Sequence, residues 1–326
     1  MSKSGTRPVR LALLALALVV VGALGVSASA FGRSNAKSCG TVTLDENAWA
    51  GATANVYVVK YVLEKNLGCK VNIEKLPEST PLFQAMADGK VDVLLEDWNN
   101  IQLKVNQKYV KSGQLIDLGS NGVIGHIGWF VPTYLMKQYP QLKTWQGLKG
   151  KESIFKSPES GSQGMFLGGD PSYVQKDSAL IKGLGLDLKH VVAGAEPAQV
   201  ARWSQLYKQK KPVLFYWYDP QYLNAQYDLV QVQLPKRFAG CQDDEKKGGD
   251  PKKYACAYPS YRLDKLVSSD FLKSGSPALK VIRNFKWTSA DQNFVANLIS
   301  GKKQSKEKAA AAWVKANAKT VNSWLK

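Results

Sequence analysis

Apolar and polar positions across residues 41–95 switch between two periods. Thr41–Asp45 and Val71–Leu76 have the short, β-rich character of strands, and Val91–Leu95 is continuously apolar, as a buried parallel strand is. Between them, Thr53–Leu67 repeats its apolar residues at helical spacing and ends at Gly68, a left-handed cap. Thr80-Pro81 opens a second helix, with threonine as N-cap and proline at the first helical position, and Gly89 closes it. Two consecutive βαβ units predict right-handed crossovers and one parallel sheet.

The rhythm breaks at Gly122–Tyr134, where three glycines, Trp129 and Pro132 intervene. This segment reads as a strand crossing into a second lobe. There the pattern predicts a short helix at Thr144–Leu148, a strand at Ser153–Phe155, and a long helix around Pro171–Leu184. A strand at His190–Ala193, a helix at Pro197–Lys208 and a strand at Val213–Trp217 follow. Residues 226–236, with the strand Leu229–Val232, read as the return crossing, and the remainder as helical. The expected fold is α/β, with two mixed or parallel sheets flanked by helices. Lobe 1 would comprise residues 39–125 plus 230–326, and lobe 2 residues 126–229. Two crossings between lobes leave a ligand cleft that closes by hinge motion.

The first 30 residues stand apart from this pattern. Lys3, Arg7 and Arg10 precede an apolar run from Leu11 to Val26, and Ala28-Ser29-Ala30 forms a small-residue cleavage site. That is the pattern of a secretory signal peptide cut after Ala30; a retained membrane anchor is the alternative, although the run is slightly short for a full span. The sequence therefore predicts an exported, extracytoplasmic protein of about 296 residues after cleavage. The formal charge of +18 falls to +15 without Lys3, Arg7 and Arg10. A basic surface suits nucleic acid, but export turns the expectation toward anionic lipid or wall polymers.

Four cysteines in an exported chain are expected to be bridged, and they allow three connectivities. Cys39–Cys69 is favoured because each cysteine precedes one of two strands that would start side by side. Cys241–Cys256 would close a polar loop. No CxxC and no metal-like cluster of cysteines occurs.

Candidate chemistry gathers where strands end. Val91–Leu95 runs into Glu96-Asp97-Trp98, Trp49 follows the first strand, and Tyr216-Trp217-Tyr218-Asp219-Pro220 ends the strand from Val213. Strand carboxyl ends are where open α/β sheets hold ligands. Aromatic faces attract a desolvated quaternary ammonium by up to about 2 kcal/mol each, and such a cation has no N–H to donate. Core packing is the competing reading at every one of these residues. Trp129, in the crossing segment, is a weaker candidate, and Trp203 reads as core. Glu96 and Asp97 point to opposite faces of a strand, so at most one faces a pocket, as an electrostatic complement to a cation.

A second half-site is expected in the small polar loop Lys156–Gly164. Ser160, Gly161 and Ser162 would offer backbone N–H groups to a carboxylate at a helix start; an ordinary connection is the rival reading. With both half-sites, the ligand is a zwitterion. Enzyme signatures are missing: His126 and His190 do not suggest a metal pair, and no GxSxG, Walker loop or HExxH occurs. No enzyme activity, cofactor or metal is expected.

Taken together, Asn47-Ala48-Trp49, Tyr57–Gly68, Gln84–Val93 leading to Glu96-Asp97-Trp98, Gly128–Pro132 and Pro212–Pro220 resemble one family. It is that of glycine betaine/choline/carnitine substrate-binding proteins of ABC transporters, and the likeness runs from about Thr41 onward. The resemblance implies a two-lobed type II periplasmic-binding-protein fold. It assigns the cage aromatics to Trp49, Trp98 and Tyr218 and the carboxylate loop to Ser160-Gly161-Ser162. Some betaine binders carry a further tryptophan in that loop where this chain has Ser160; Trp129 or Trp217 would compensate. The implied function is capture of a quaternary-ammonium compatible solute, glycine betaine first, then choline, carnitine or proline betaine. The implied partners are that solute and an ABC permease, the latter the only tie to a membrane surface, with no nucleic acid and a monomeric chain. The alternative is a basic wall- or membrane-surface adhesion protein without a transport role.

Overall fold

In the computed structural model, which describes residues 39–98, 107–242 and 251–326, nine strands form one hydrogen-bonded series. The leader expected at residues 1–30 lies outside the described residues. The strands are β1 (Thr41–Asp45), β2 (Lys70–Glu74), β3 (Val93–Asp97), β4 (Leu115–Pro132), β5 (Gly164–Gly168), β6 (Leu188–Val192), β7 (Leu214–Asp219), β8 (Leu229–Val232) and β9 (Ser260–Ser268). Their order is β2-β1-β3-β9-β4-β7-β5-β6, with β8 also paired to β4. At one end β1 is parallel to β2 and β3, and at the other β5 is parallel to β6 and β7. The two expected sheets are joined because β4, at 18 residues, is long enough to serve both.

The registers along β4 explain where the strand ends meet. Antiparallel pairing places Asp97 of β3 opposite Asp264 of β9, and Asp264 opposite Ser120 of β4. From the other side, β7 runs antiparallel to β4, with Asp219 opposite His126 and Tyr218 opposite Ile127. β3 and β7 therefore run toward each other and finish a few residues apart along β4. Trp98, directly after β3, and Tyr218, near the end of β7, converge on the middle of that long strand. The β4–β9 register shifts between Asp117 and Ile124, where Gly119 and Gly122 take positive φ. Gly122 is required twice over: its φ is +97°, and a Cβ would come 2.3 Å from the Trp287 carbonyl oxygen.

Helix α1 (Ala50–Leu67) begins directly after Trp49 and ends at Gly68, whose φ of +65° is the left-handed cap expected. Its buried Val56, Val58, Val59, Val62 and Leu63 face the core, and the helix packs on Ser289–Ala296 and Lys306–Ala316. Helix α2 (Thr80–Ala87) starts one residue earlier than predicted, with Ser79 rather than Thr80 at the N-cap. Helices α3 (Asp177–Leu184) and α4 (Glu196–Lys208) flank the far end of the sheet. Both favoured disulfides are present, Cys39–Cys69 and Cys241–Cys256. Among the described residues, no helix is long and apolar enough to cross a membrane.

Three expectations need correction. Ser153–Phe155 is part of a 3-10 turn, Glu152–Phe155, and the strand of that region is β5. The helix expected from Pro171 starts only at Asp177. The segment after Pro235 is not all helical, for β9 lies in it, between β3 and β4.

Candidate functional site

Loops following β1, β2, β3 and β5, with residues of β4 and β7, enclose one aromatic cavity. It is lined by Trp49, Glu78, Trp98, Ile127, Tyr173, Val174, Tyr216 and Tyr218. The cavity is small, about 20 Å³ as swept by the centre of a water-sized sphere, so its walls must part to admit a larger guest. The rings meet edge to face: Trp49 with Tyr173 at 5.6 Å and 88°, and Trp98 with Tyr218 at 5.8 Å and 89°. Each pair joins a residue from one end of the sheet to a residue from the other.

The local chain fixes each ring. Asp45, at the end of β1, accepts hydrogen bonds from the Asn47 amide at 2.8 Å and the Leu76 N–H at 2.9 Å, shaping the turn that leads to Trp49. Trp98 lies over Gly125 of β4 and beside Tyr261 of β9, at 5.7 Å between ring centroids. Tyr173 donates its hydroxyl to the Ala48 carbonyl at 2.8 Å and accepts the Glu196 N–H at 3.2 Å. It ties the start of α4 to the loop before α1.

Carboxylates stand behind the rings. Both indoles donate to the same atom, Glu96 Oε1, Trp49 at 2.8 Å and Trp98 at 3.1 Å, while the Asn55 amide donates to Oε2. Glu196 accepts the Tyr218 hydroxyl, the Gln221 amide at 3.1 Å and the Ala50 N–H at 3.2 Å. Burial pushes Glu96 and Glu196 up to about 7, against the pull of these donors toward the charged form. At most one of Glu96 and Asp97 was expected to face the pocket as a complement to a cation; Glu96 is 1% exposed and holds the two indoles from behind. Asp97 points the other way, as strand alternation requires, and takes a hydrogen bond from the Glu78 carboxyl.

The structure brings Trp49, Trp98 and Tyr218 onto this cavity and leaves the other candidates elsewhere. Trp217 alternates to the opposite face of β7, where it packs edge-on against Trp203 at 5.1 Å and donates to Asn224 at 2.8 Å. Trp129 is fully buried, tilted against Phe166 at 4.6 Å, with its N–H donated to Asp177 at 2.6 Å. Neither supplies a cavity wall. Ser160, Gly161 and Ser162 form a self-contained turn in which the Ser160 hydroxyl donates to the Gln163 carbonyl at 2.7 Å and accepts the Ser157 N–H at 2.9 Å. That turn precedes β5, at the amino end of the strand, whereas a strand at Ser153–Phe155 would have put it at a carboxyl end. The carboxyl end of β5 instead opens into residues 169–176, which carry Tyr173 and Val174.

Tyr173, Tyr216, Glu78, Ile127 and Val174 were missed as lining residues. Period-2 alternation from Tyr218 singles out Tyr216 once Val213–Trp217 is read as a strand. Of the two histidines, His126 faces Ser260 at 3.3 Å and His190 faces Ser178 at 2.7 Å. No group of His, Cys, Asp and Glu suited to a metal occurs among the described residues.

Residues 40–316 match the family described as the substrate binding domain of the ABC-type glycine betaine transport system. The fold is similar to lactococcal OpuAC in a closed-liganded conformation with glycine betaine: TM-score 0.65, 23% identity, covering 88% of this chain and 99% of that one. It is similar also to the glycine betaine/L-proline-binding protein ProX of Borrelia burgdorferi, with TM-score 0.70 and 21% identity over 88% and 97% of the two chains. A choline-binding ABC-transporter protein in complex with choline matches with TM-score 0.66 and 18% identity over 88% and 92%. The fold is that of the two-lobed periplasmic binding proteins, and the chain belongs to the family of substrate-binding domains of ABC-type glycine betaine transport systems.

Proposed function

We propose that this domain captures a quaternary-ammonium compatible solute outside the cytoplasm and delivers it to an ABC permease. Glycine betaine is the first candidate, with choline, carnitine and proline betaine behind it. The observation that carries the reading is a cavity walled by five aromatic rings, Trp49, Trp98, Tyr173, Tyr216 and Tyr218. A methylated ammonium fills such a box without leaving a donor unsatisfied, and desolvation strengthens its attraction to the ring faces. In this reading residues 39–125 plus 230–326 and residues 126–229 are the two lobes. They part to admit the solute and close on it, and the closed state is what the permease reads. The chain acts as a monomer, exported by a leader cut after Ala30. Titration calorimetry with the four solutes is the test; saturable heat with at least one is expected, and no heat with any would overturn the reading.

A further inference from the structure

One acidic side chain lines the aromatic cavity. Glu78 is 3% exposed, and its Oε1 accepts the Trp98 N–H at 3.1 Å. Its carboxyl also donates to the fully buried Asp97. Two carboxyl groups hydrogen-bond to each other only by keeping a proton between them, so the pair holds one proton and one negative charge. The charged groups facing the pair are Glu96 on the same strand, Asp264 on β9 and Asp117 on β4. Arg262 is taken up by Asp264 at 2.7 Å and Asp117 at 3.4 Å, and the Tyr216 phenol faces Glu78 from β7. Neither lysine nor arginine lines the cavity.

We propose that the Glu78–Asp97 pair couples solute charge to proton release: a net cation in the box expels the shared proton, and a zwitterion does not. This rests on the proposed function. A fixed positive charge beside the pair favours its fully ionised form, so cation and protonated protein give the complex and one proton to solvent. A quaternary ammonium has no N–H of its own to lose, so that proton comes from the protein. A zwitterion brings its own carboxylate, and the field at the pair largely cancels. By linkage, affinity for the cation rises with pH, approaching about tenfold per unit below the pair's own midpoint, and then levels. Burial holds both carboxyls up, Asp97 at about 7 and the proton-bearing Glu78 well above its ordinary value, so the rise continues through neutrality. The choline-to-glycine betaine preference therefore grows as pH rises.

The test is titration calorimetry of the whole protein with choline and with glycine betaine between about pH 5 and about pH 8. Each titration is run in two buffers of different ionisation enthalpy, which counts protons. Release of up to one proton with choline and almost none with glycine betaine is expected. Glu78→Gln, which keeps a donor for Asp97 and an acceptor for the Trp98 N–H, should abolish the release while leaving Glu96 able to titrate; Asp97→Asn is the second variant. Choline binding with no proton release, equal release with both solutes, or undiminished release in both variants would each overturn the proposal. No binding of either solute would overturn the functional reading itself, and the proposal with it.

Discussion

Trp98 lies so close over Gly125 that a Cβ at the glycine would come within 2.3 Å of ring atom Cζ3. The cavity wall on that side is set by the missing side chain as much as by the indole. Gly125→Ala must push the ring toward the cavity or tilt it off Tyr261. Affinity for the solute should fall at least tenfold, about 1.4 kcal/mol, with a smaller loss of thermal stability. Calorimetry and a melting curve on the same preparation separate the two effects, and unchanged affinity would show that the ring has room to move.

Glu96 holds two walls with one oxygen. Glu96→Ala leaves both indole N–H groups without their acceptor, at a cost of about 1–3 kcal/mol in stability for each buried donor left unsatisfied. Binding should weaken more than tenfold, because both indoles lose their orientation. Glu96→Gln, which keeps an acceptor oxygen, should be milder on both counts. Equal effects from the two variants would mean that the carboxylate's charge, not its grip on the indoles, is what counts.

Trp98→Ala and Trp217→Ala should fail in opposite ways. Trp98 is a cavity wall, and its loss removes up to about 2 kcal/mol of cation–π attraction, a ten- to thirtyfold weakening. Trp217 packs against Trp203 and Phe215, and its truncation should cost about 3–5 kcal/mol of stability. What Trp217→Ala protein remains folded should bind nearly as the parent does. Chemical denaturation paired with calorimetry distinguishes the two patterns.

Burial raises Asp45, Glu96, Asp97 and Glu196 to about 7 and Asp177 to about 6. In the unfolded chain these groups ionise near 4, so between about pH 4 and about pH 7 the folded state holds more protons than the unfolded one. Their contribution to stability is complete below the unfolded values and is lost as pH rises through the folded ones. The melting temperature of the solute-free protein should therefore be higher at about pH 5 than at about pH 8. A flat profile would mean that these carboxyls ionise in the fold as in the unfolded chain, and an opposite one that the fold favours their charged forms.

The half of the site built on apolar strands was legible from the sequence, and the half built on mixed ones was not. Thr41–Asp45 and Leu229–Val232 were read at their observed limits, and Trp49, Trp98 and Tyr218 follow or end apolar strands. β9 was hidden because Arg262, Asp264 and Lys265 break its apolar pattern. The fold satisfies them individually: Lys265 donates to the Arg283 and Phe285 carbonyls at 2.8 Å each, and Asp264 takes the Arg262 guanidinium. Tyr261 went unnoticed with it. β5 is short and flanked by glycines, and Asp170-Pro171 imitates a helix start. The pattern therefore predicts helix where the loop carrying Tyr173 lies, and a ligand loop where Ser160 makes a turn.

The carboxylates behind the rings have a consequence for ionic strength. Without the leader the chain carries a formal charge of +15, which repels a cationic solute at long range, and dissolved salt screens that repulsion. Glu96 and Glu196 lie beneath aromatic rings, out of reach of mobile ions, so salt leaves their attraction almost untouched. For a positively charged solute the two contributions respond oppositely to a saltier medium: the barrier to approach falls while the hold persists. Such a receptor would load faster, and no less firmly, as the surrounding electrolyte becomes more concentrated.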